Sequence, residues 1–325
     1  METNLVTRAG YPFSPVRIRG FQRSLGLSTV RTLGSIPLGG VDAWKLLRSY
    51  KPHCVVGVGG YASGPVVAEA AVSGIPAVAV EMDARMGWTN CVLSKIVDKV
   101  CLSFPRAGLD HGKYVYTGRP LRPSLLTATR EEGFTRFNLH GGRQVLLVFG
   151  GSQGASTLNQ VTLRAFAKRS TPFQILHVTG EQEFPVVARM LKSPGANPDY
   201  QAFSFLDDFP LALAAADAVV ARAGGSVAEI LARGVPSLLV PYPYAAGDHQ
   251  NKNARMVAAE GAALTVADAE LDAEQLATAV AELLDPEVNQ RMRRAALRLA
   301  RPDAADRIAD VVVELVAARA ERGHD

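Results

Sequence analysis

The stretch DAVVARAGGSVAEILARGVPSLLVPYPYAAGDHQNKN, residues 217–253, decides how the chain is read. An apolar run at 218–221 enters Gly224-Gly225, which opens a helical segment carrying Glu229 about one turn in. A second apolar run ends at Pro241 and leads to a loop with Asp248, His249, Gln250 and Asn253. Strand, glycine turn, helix, strand is the repeating unit of a parallel sheet covered by helices. Backbone N–H groups at a helix start suit a diphosphate, and a carboxylate one turn on suits ribose hydroxyls. The segment therefore reads as one half of a nucleotide-sugar pocket.

The same alternation extends outward in both directions. Before the segment, strands are expected at 144–149, 173–178 and 201–203, with helices at 155–168, 181–191 and 208–215. After it, three helical stretches are expected at 272–284, 287–299 and 302–319. The first half shows strands at 54–58, 77–80, 99–103 and 115–117, with helices at 63–73 and 89–97. Residues 121–143 are polar, without clear period, and contain Gly141-Gly142, so they read as a linker. The fold class is α/β, with two doubly wound, Rossmann-like parallel sheets and a ligand cleft between them.

Composition bounds the alternatives. The 325 residues are 48% hydrophobic, enough for true cores and too apolar for disorder. No apolar run reaches the ~18 residues of a membrane span, and no secretory leader is expected from the Met1-Glu2 start. Cys54, Cys91 and Cys101 are odd in number and form no CxxC pair, so buried reduced thiols in a cytoplasmic protein are expected, and no zinc spacing occurs. The net charge of +4 is unevenly placed. Residues 1–52 hold Arg8, Arg17, Arg19, Arg23, Arg31, Lys45, Arg48 and Lys51 among apolar residues such as Phe13, Ile18, Leu38 and Trp44. That surface suits the anionic inner leaflet of a membrane, or is a solvated rim over ordinary core residues. Nucleic acid is not expected, because no binding motif accompanies the charge.

Further junctions carry chemistry. Gly150-Gly151-Ser152-Gln153-Gly154-Ala155 joins a strand to a helix, where backbone N–H groups and the Ser152 hydroxyl can hold a phosphate; a purely structural tight turn is the alternative. Gly59-Gly60-Tyr61-Ala62-Ser63-Gly64 is a similar junction, open to an acceptor phosphate or to close packing. Thr89 and Asn90 either cap a helix or offer Asn90 to a sugar hydroxyl. Arg119 or Arg122 can neutralise a diphosphate, or either is a surface arginine. Glu229 either serves the helix dipole or accepts ribose hydroxyls. Gln250 and Asn253 share a helix face and are good sugar readers, while Asp248 and His249 are a cap and a loop histidine or sugar contacts.

Taken in order, GGYASGP, GWTN, GRPLRP, FGGSQGA, RAGGSVAE and GDHQNKNA resemble the MurG family across essentially the whole chain. These are UDP-N-acetylglucosamine–N-acetylmuramyl-(pentapeptide) pyrophosphoryl-undecaprenol N-acetylglucosamine transferases of the GT-B fold. The resemblance implies a domain at 1–124 on the acceptor and membrane side, incomplete at its N-terminus. It implies a UDP-sugar domain at 125–301 and a helix at 302–325 returning to the first. It implies inverting transfer from UDP-N-acetylglucosamine to the muramyl C4 hydroxyl of lipid I, giving lipid II, with no cofactor or metal beyond the donor. The enzyme would be peripheral on the cytoplasmic membrane face, against anionic inner-leaflet lipids. Asn90 would meet the donor sugar, Arg122 the diphosphate, and Ser152, Gln153 and Gly154 a phosphate. Leu206 would offer its backbone to uracil, Gly225 and Ser226 would line the diphosphate, Glu229 the ribose, and Gln250 and Asn253 the sugar. Gly59, Gly60, Tyr61, Ser63 and Gly64 would serve the lipid diphosphate.

The chain departs from the family at three places. Glu81-Met82-Asp83 stands where the family has E-Q-N, and the RAGGSVAE segment is one residue shorter than its commonest form. The family's opening strand and G-G-T-G-G-H loop, with the histidine proposed as general base, have no counterpart before Leu5. The catalytic base is therefore expected outside the residues present, in an upstream continuation of the reading frame. Two alternatives follow: a UDP-sugar-binding remnant without catalysis, and another GT-B enzyme such as a UDP-sugar epimerase or a lipid glycosyltransferase.

Overall fold

Two parallel sheets form from the short Val-, Ala- and Leu-rich runs. A computed structural model describes residues 6–18, 27–105, 112–151 and 154–322, with 27–37 as backbone. The chain divides into two compact units. One comprises Met1–Met82, Met86–Thr117 and Asp306–Asp325, and the other Asp83–Arg85 and Gly118–Ala305.

In the first unit, β1 (Val55–Gly57), β2 (Ala77–Glu81), β3 (Lys99–Leu102) and β4 (Tyr114–Tyr116) pair in that order, all parallel. Every residue of β2 is buried, as expected of a strand covered on both faces. Successive side chains point to opposite faces. Ala77 and Ala79 thus pack with Leu47, Val67 and Leu93 from α1 (Leu27–Tyr50), α2 (Ser63–Val72) and α3 (Trp88–Leu93). Val78 and Val80 pack with Cys101 and with Ile308 and Val311 of the last helix, α13 (Ala304–Arg322).

The second unit holds six parallel strands: β5 (Val145–Phe149), β6 (Gln174–Val178), β7 (Tyr200–Phe203), β8 (Ala218–Ala221), β9 (Ser237–Leu239) and β10 (Ala263–Thr265). Their order is β10-β9-β8-β5-β6-β7. The chain runs outward from β5 to β7, then returns to the other side of β5 with β8. The strand order therefore reverses between β5 and β8, the place where open α/β sheets form a crevice beyond the strand C-termini. Helices α6 (Ser156–Phe166), α7 (Phe184–Leu191), α8 (Phe209–Ala215), α9 (Ser226–Arg233), α10 (His249–Ala259), α11 (Ala273–Leu284) and α12 (Pro286–Leu299) accompany the sheet. Asp272 and Asp285 cap α11 and α12 through paired backbone N–H bonds, and Pro286 at the first position of α12 makes the break between them sharp.

Two expectations change, the linker and the burial of all three thiols, and two elements stand where none was expected. Residues 121–143 are not a structureless linker: α4 (Pro123–Thr127) and α5 (Arg130–Arg136) lie within them. The local chemistry is legible in retrospect, with Pro123 at a helix start and a reciprocal Thr129–Glu132 capping box ahead of α5. Helix α1 spans Gly34, Pro37, Gly39 and Gly40, residues that argue against a helix on propensity alone. The strand β10 follows α10 in a stretch where no element was expected; its three residues are too few to show a period. Among the cysteines, Cys101 is buried and Cys54 partly so, but Cys91 is exposed on α3. Among the described residues no helix is long and apolar enough to cross a membrane.

Candidate functional site

The two glycine turns of the second unit follow the C-terminal ends of β5 and β8, the neighbours that flank the strand-order reversal. After Phe149 the backbone tightens so far that Gly150 has no room for a side chain. A Cβ there would lie 2.5 Å from Ala155 N and 2.7 Å from Gly154 C. Gly154 has φ +75°, and a Cβ on it would lie 2.5 Å from the Thr179 carbonyl oxygen. Its N–H donates to Gly151 O at 3.0 Å, and Ala155 then starts α6. Ser152 and Gln153, the expected phosphate contacts at the tip of this turn, lie outside the described residues.

After Ala221 the second turn starts α9 at Gly225 and Ser226. The Arg119 guanidinium lies over it: a Cβ on Gly225 would fall 2.5 Å from Arg119 Nη2. The guanidinium thus packs against the start of α9 and adds positive charge beside a helix N-terminus. Glu229 sits in the first turn of α9 with Arg122 Nη2 3.4 Å from its Oε1. Gln250 is oriented by the Tyr242 N–H, which donates to its Oε1 at 2.8 Å. Its Nε2 is thereby turned to within 3.6 Å of where a Gly224 side chain would lie. Leu206 is buried, beside exposed Phe205.

Asn253 has a different place from the one expected. It is 1% exposed, and its amide is spent on protein groups. Its Oδ1 accepts from Ala84 N–H at 2.8 Å, and its Nδ2 donates to Ala223 O at 3.0 Å and Asp83 Oδ1 at 3.2 Å. Asn253 therefore clamps the glycine turn from behind. Asp248 has φ +61°, and His249 Nδ1 donates to Ala246 O at 2.8 Å.

Several residues that tie the turns together had no expected role: Arg222 opens RAGGSVAE without a function read for it, and Asp268 and Thr157 lie in no motif. Arg222 is buried, with Nη1 donating to Val240 O at 3.1 Å and Pro241 O at 3.3 Å and paired with Asp268. Thr157 Oγ1, in the first turn of α6, donates to the same carboxylate at 3.1 Å. This chain of bonds fixes the start of α6 against the end of β8. Asp268 lies 46 residues beyond Arg222, so no sequence spacing links them. His177, which fell in no motif, is fully buried on β6, and burial pushes its pKa down to about 3.

In the first unit, the junction after β1 brings Gly59, Gly60, Tyr61, Ser63 and Gly64 together at the start of α2. Ser63 Oγ donates to Gly60 O at 3.0 Å, and a Cβ on Gly64 would meet the Thr89 methyl at 3.2 Å. Tyr61 is half-exposed. Asn90 belongs to this unit and is 3% exposed. Its Nδ2 donates to Val80 O and Glu81 Oε2, both at 3.1 Å, while Gly87 N–H donates to the same carboxylate oxygen at 2.8 Å. Asn90 Oδ1 is buried and lacks a partner.

Two parallel-sheet α/β units, the second with paired glycine turns at its switch point, are the architecture of the GT-B class, and the family matches make the chain a glycosyltransferase of that class. Residues 145–308 match the glycosyltransferase family 28 C-terminal domain, and residues 1–102 match the family 28 N-terminal domain. A protein of Halothermothrix orenii named UDP-N-acetylglucosamine–N-acetylmuramyl-(pentapeptide) pyrophosphoryl-undecaprenol N-acetylglucosamine transferase is 36% identical, over 96% of this chain and 88% of its own. One of the same name from Anaeromyxobacter dehalogenans is 39% identical over 98% and 83%. The crystal structure of Acinetobacter baumannii MurG aligns with a TM-score of 0.78 at 28% identity, covering 97% of this chain and 88% of that one. The chain belongs to the MurG family of glycosyltransferases. A UDP-N-acetylglucosamine 2-epimerase from Neisseria meningitidis aligns with a TM-score of 0.66 at 13% identity, covering 97% and 88%; this is likeness of fold.

Proposed function

We propose that the chain transfers N-acetylglucosamine from UDP-N-acetylglucosamine to the C4 hydroxyl of the muramyl unit of lipid I, giving lipid II with inversion at the anomeric carbon. The reading rests most on one observation: glycine turns end both strands at the switch point, in a chain similar almost throughout to transferases of that name. The acceptor oxygen attacks C1 of the sugar, the bond from C1 to the β-phosphate oxygen breaks, and UDP leaves with the electron pair. The hydroxyl proton passes to a base or to solvent. Negative charge grows on the departing diphosphate, where preorganised N–H donors are most effective. The starts of α6 and α9, with the N–H groups of Gly225 and Ser226, supply such donors, and Arg122 adds positive charge.

Glu229 is suited to accept the ribose hydroxyls, Gln250 Nε2 to donate to the sugar, and the Leu206 backbone to pair with uracil. Asn253 acts by holding the turn, since its amide is committed to Ala84, Ala223 and Asp83. The first-unit turn, Gly59 to Gly64, would hold the diphosphate of the lipid acceptor, and Asn90 would meet the donor sugar. Arg8, Arg17 and Arg48, with exposed Tyr11, Leu38 and Trp44, support a peripheral place on an anionic inner leaflet at the cytoplasmic face. The test is incubation with UDP-N-acetylglucosamine, radiolabelled in the sugar, and a lipid I analogue. A labelled β-linked disaccharide on the lipid is expected. Sugar release or epimerisation without acceptor would favour the epimerase reading, and UDP binding without turnover the remnant.

A further inference from the structure

His177 lies at the centre of a buried polar chain that ends on a glycine turn. It is 0% exposed on β6, in the core of the second unit. Its Nδ1 is 2.7 Å from Tyr200 Oη on β7, and its Nε2 is 2.9 Å from Asn159 Oδ1 on α6. Asn159 Nδ2 in turn donates to Thr179 O at 2.8 Å and to Glu183 Oε2 at 2.7 Å.

These partners fix the protons. Thr179 O and the Glu183 carboxylate only accept, so the Asn159 nitrogen must face them and its oxygen must face His177. An amide oxygen only accepts, so His177 Nε2 carries hydrogen. Tyr200 can then donate its hydroxyl proton to Nδ1, and the ring is neutral with every polar atom paired. The same Thr179 carbonyl is the atom against which Gly154 packs, with no space for even a methyl group between them. Asn159 N–H also donates to Ala155 O at 2.9 Å, in the first turn after the glycines.

We propose that His177 is a positioning residue for the donor-diphosphate turn: its Nε2–H locks the Asn159 amide, which sets the Thr179 carbonyl that backs Gly154. The proposal rests on the donor-site reading above, and it adds a residue that touches neither turn. A hydrophobic core position would not need this chemistry. Burying an imidazole is costly unless both nitrogens are satisfied. Here both are, and the last bond in the chain lands beside the turn.

The test compares His177→Gln with His177→Asn. The glutamine Nε2 can stand where the imidazole Nε2 stands and still donate to Asn159. The shorter asparagine reaches only toward Tyr200. Dissociation constants for UDP are measured well below each melting temperature, and amide hydrogen exchange is followed at Gly154. H177Q is expected to keep UDP affinity within about threefold of wild type, and H177N to lose about tenfold, with faster exchange at Gly154. Equal affinities in both variants, whether equally high or equally low, would overturn the proposal and leave His177 a packing residue. Should the wild-type chain fail to bind UDP, the donor reading falls. The positioning role is then judged by exchange at Gly154 alone, faster in H177N than in H177Q if the proposal holds, equal if it does not. Should H177N fail to fold, the ¹⁵N spectrum of the wild-type imidazole decides: hydrogen on Nε2 supports the proposal, and hydrogen on Nδ1 overturns it.

Discussion

Gly150→Ala is the substitution whose outcome the geometry determines most closely. Its Cβ would lie 2.5 Å from Ala155 N and 2.7 Å from Gly154 C, against 3.4 Å or more in ordinary contact. Backbone on the far side of the turn would have to move by about 1 Å, and no flexible side chain is there to give way. Overpacking of this kind costs about 1–3 kcal/mol. For a domain of this size that is about 2–4 °C in melting temperature per kcal/mol, hence a fall of roughly 2–12 °C. A turn displaced by about 1 Å is also misaligned for the diphosphate, which can cost up to about a hundredfold. Gly225→Ala is the control. Its Cβ would meet only the end of the Arg119 side chain, and Gly225 already has helical φ of −59°. Stability should stay within about 0.5 kcal/mol of wild type. Differential scanning fluorimetry and calorimetric titration with UDP separate the two. A Gly150→Ala protein with wild-type melting and wild-type UDP affinity, or a Gly225→Ala protein that melts lower than Gly150→Ala, would refute the reasoning.

Three further outcomes are expected. Glu229→Gln should change stability by less than about 1 kcal/mol, because its pair with Arg122 is half-exposed at 55% on the arginine side, yet raise KM for the donor in a steady-state transfer assay. His177 introduces a pH dependence. Its folded pKa is depressed to about 3 from 6.5, so the unfolded chain binds the proton first. Its contribution to stability is then full above about pH 6.5 and is lost as pH falls toward 3, at up to about 1.4 kcal/mol per pH unit. Urea midpoints at pH 7.5, 6 and 5 should fall more steeply for wild type than for H177Q. Finally, exposed Cys91 should react with a thiol reagent in the folded protein, whereas Cys101, whose pKa burial pushes up to about 11, should react only after unfolding; mass spectrometry of labelled peptides checks the order.

Much of this architecture can be read in the chain because parallel strands buried on both faces are continuous apolar runs. The strand at 218–221 was legible to the residue, and Gly224-Gly225 marked the start of the next helix. The α4 and α5 helices were hidden for a local reason: five and seven residues are too few for a period, and only the Pro123 and Thr129–Glu132 start signals betray them. The α1 helix was hidden because Pro37 and its glycines oppose a helix locally. At the site, the glycine turns and helix starts were legible, because they are local features. Residues that hold the turns in place were not. The Arg222–Asp268–Thr157 and His177–Asn159–Thr179 chains join positions up to 111 residues apart, and only the folded sheet brings them together. Asn253 shows the converse: a residue type suited to sugars, in a suitable motif, proves to be a buried clamp.

The central claim is that the reversal between β5 and β8 forms the diphosphate seat. A crystal structure of the chain with UDP tests it most directly. The account predicts the diphosphate between Gly151–Ala155 and Gly224–Ser226, within hydrogen-bonding distance of both helix starts, with the ribose on Glu229. UDP seated elsewhere, or held by one turn with the other empty, would contradict it.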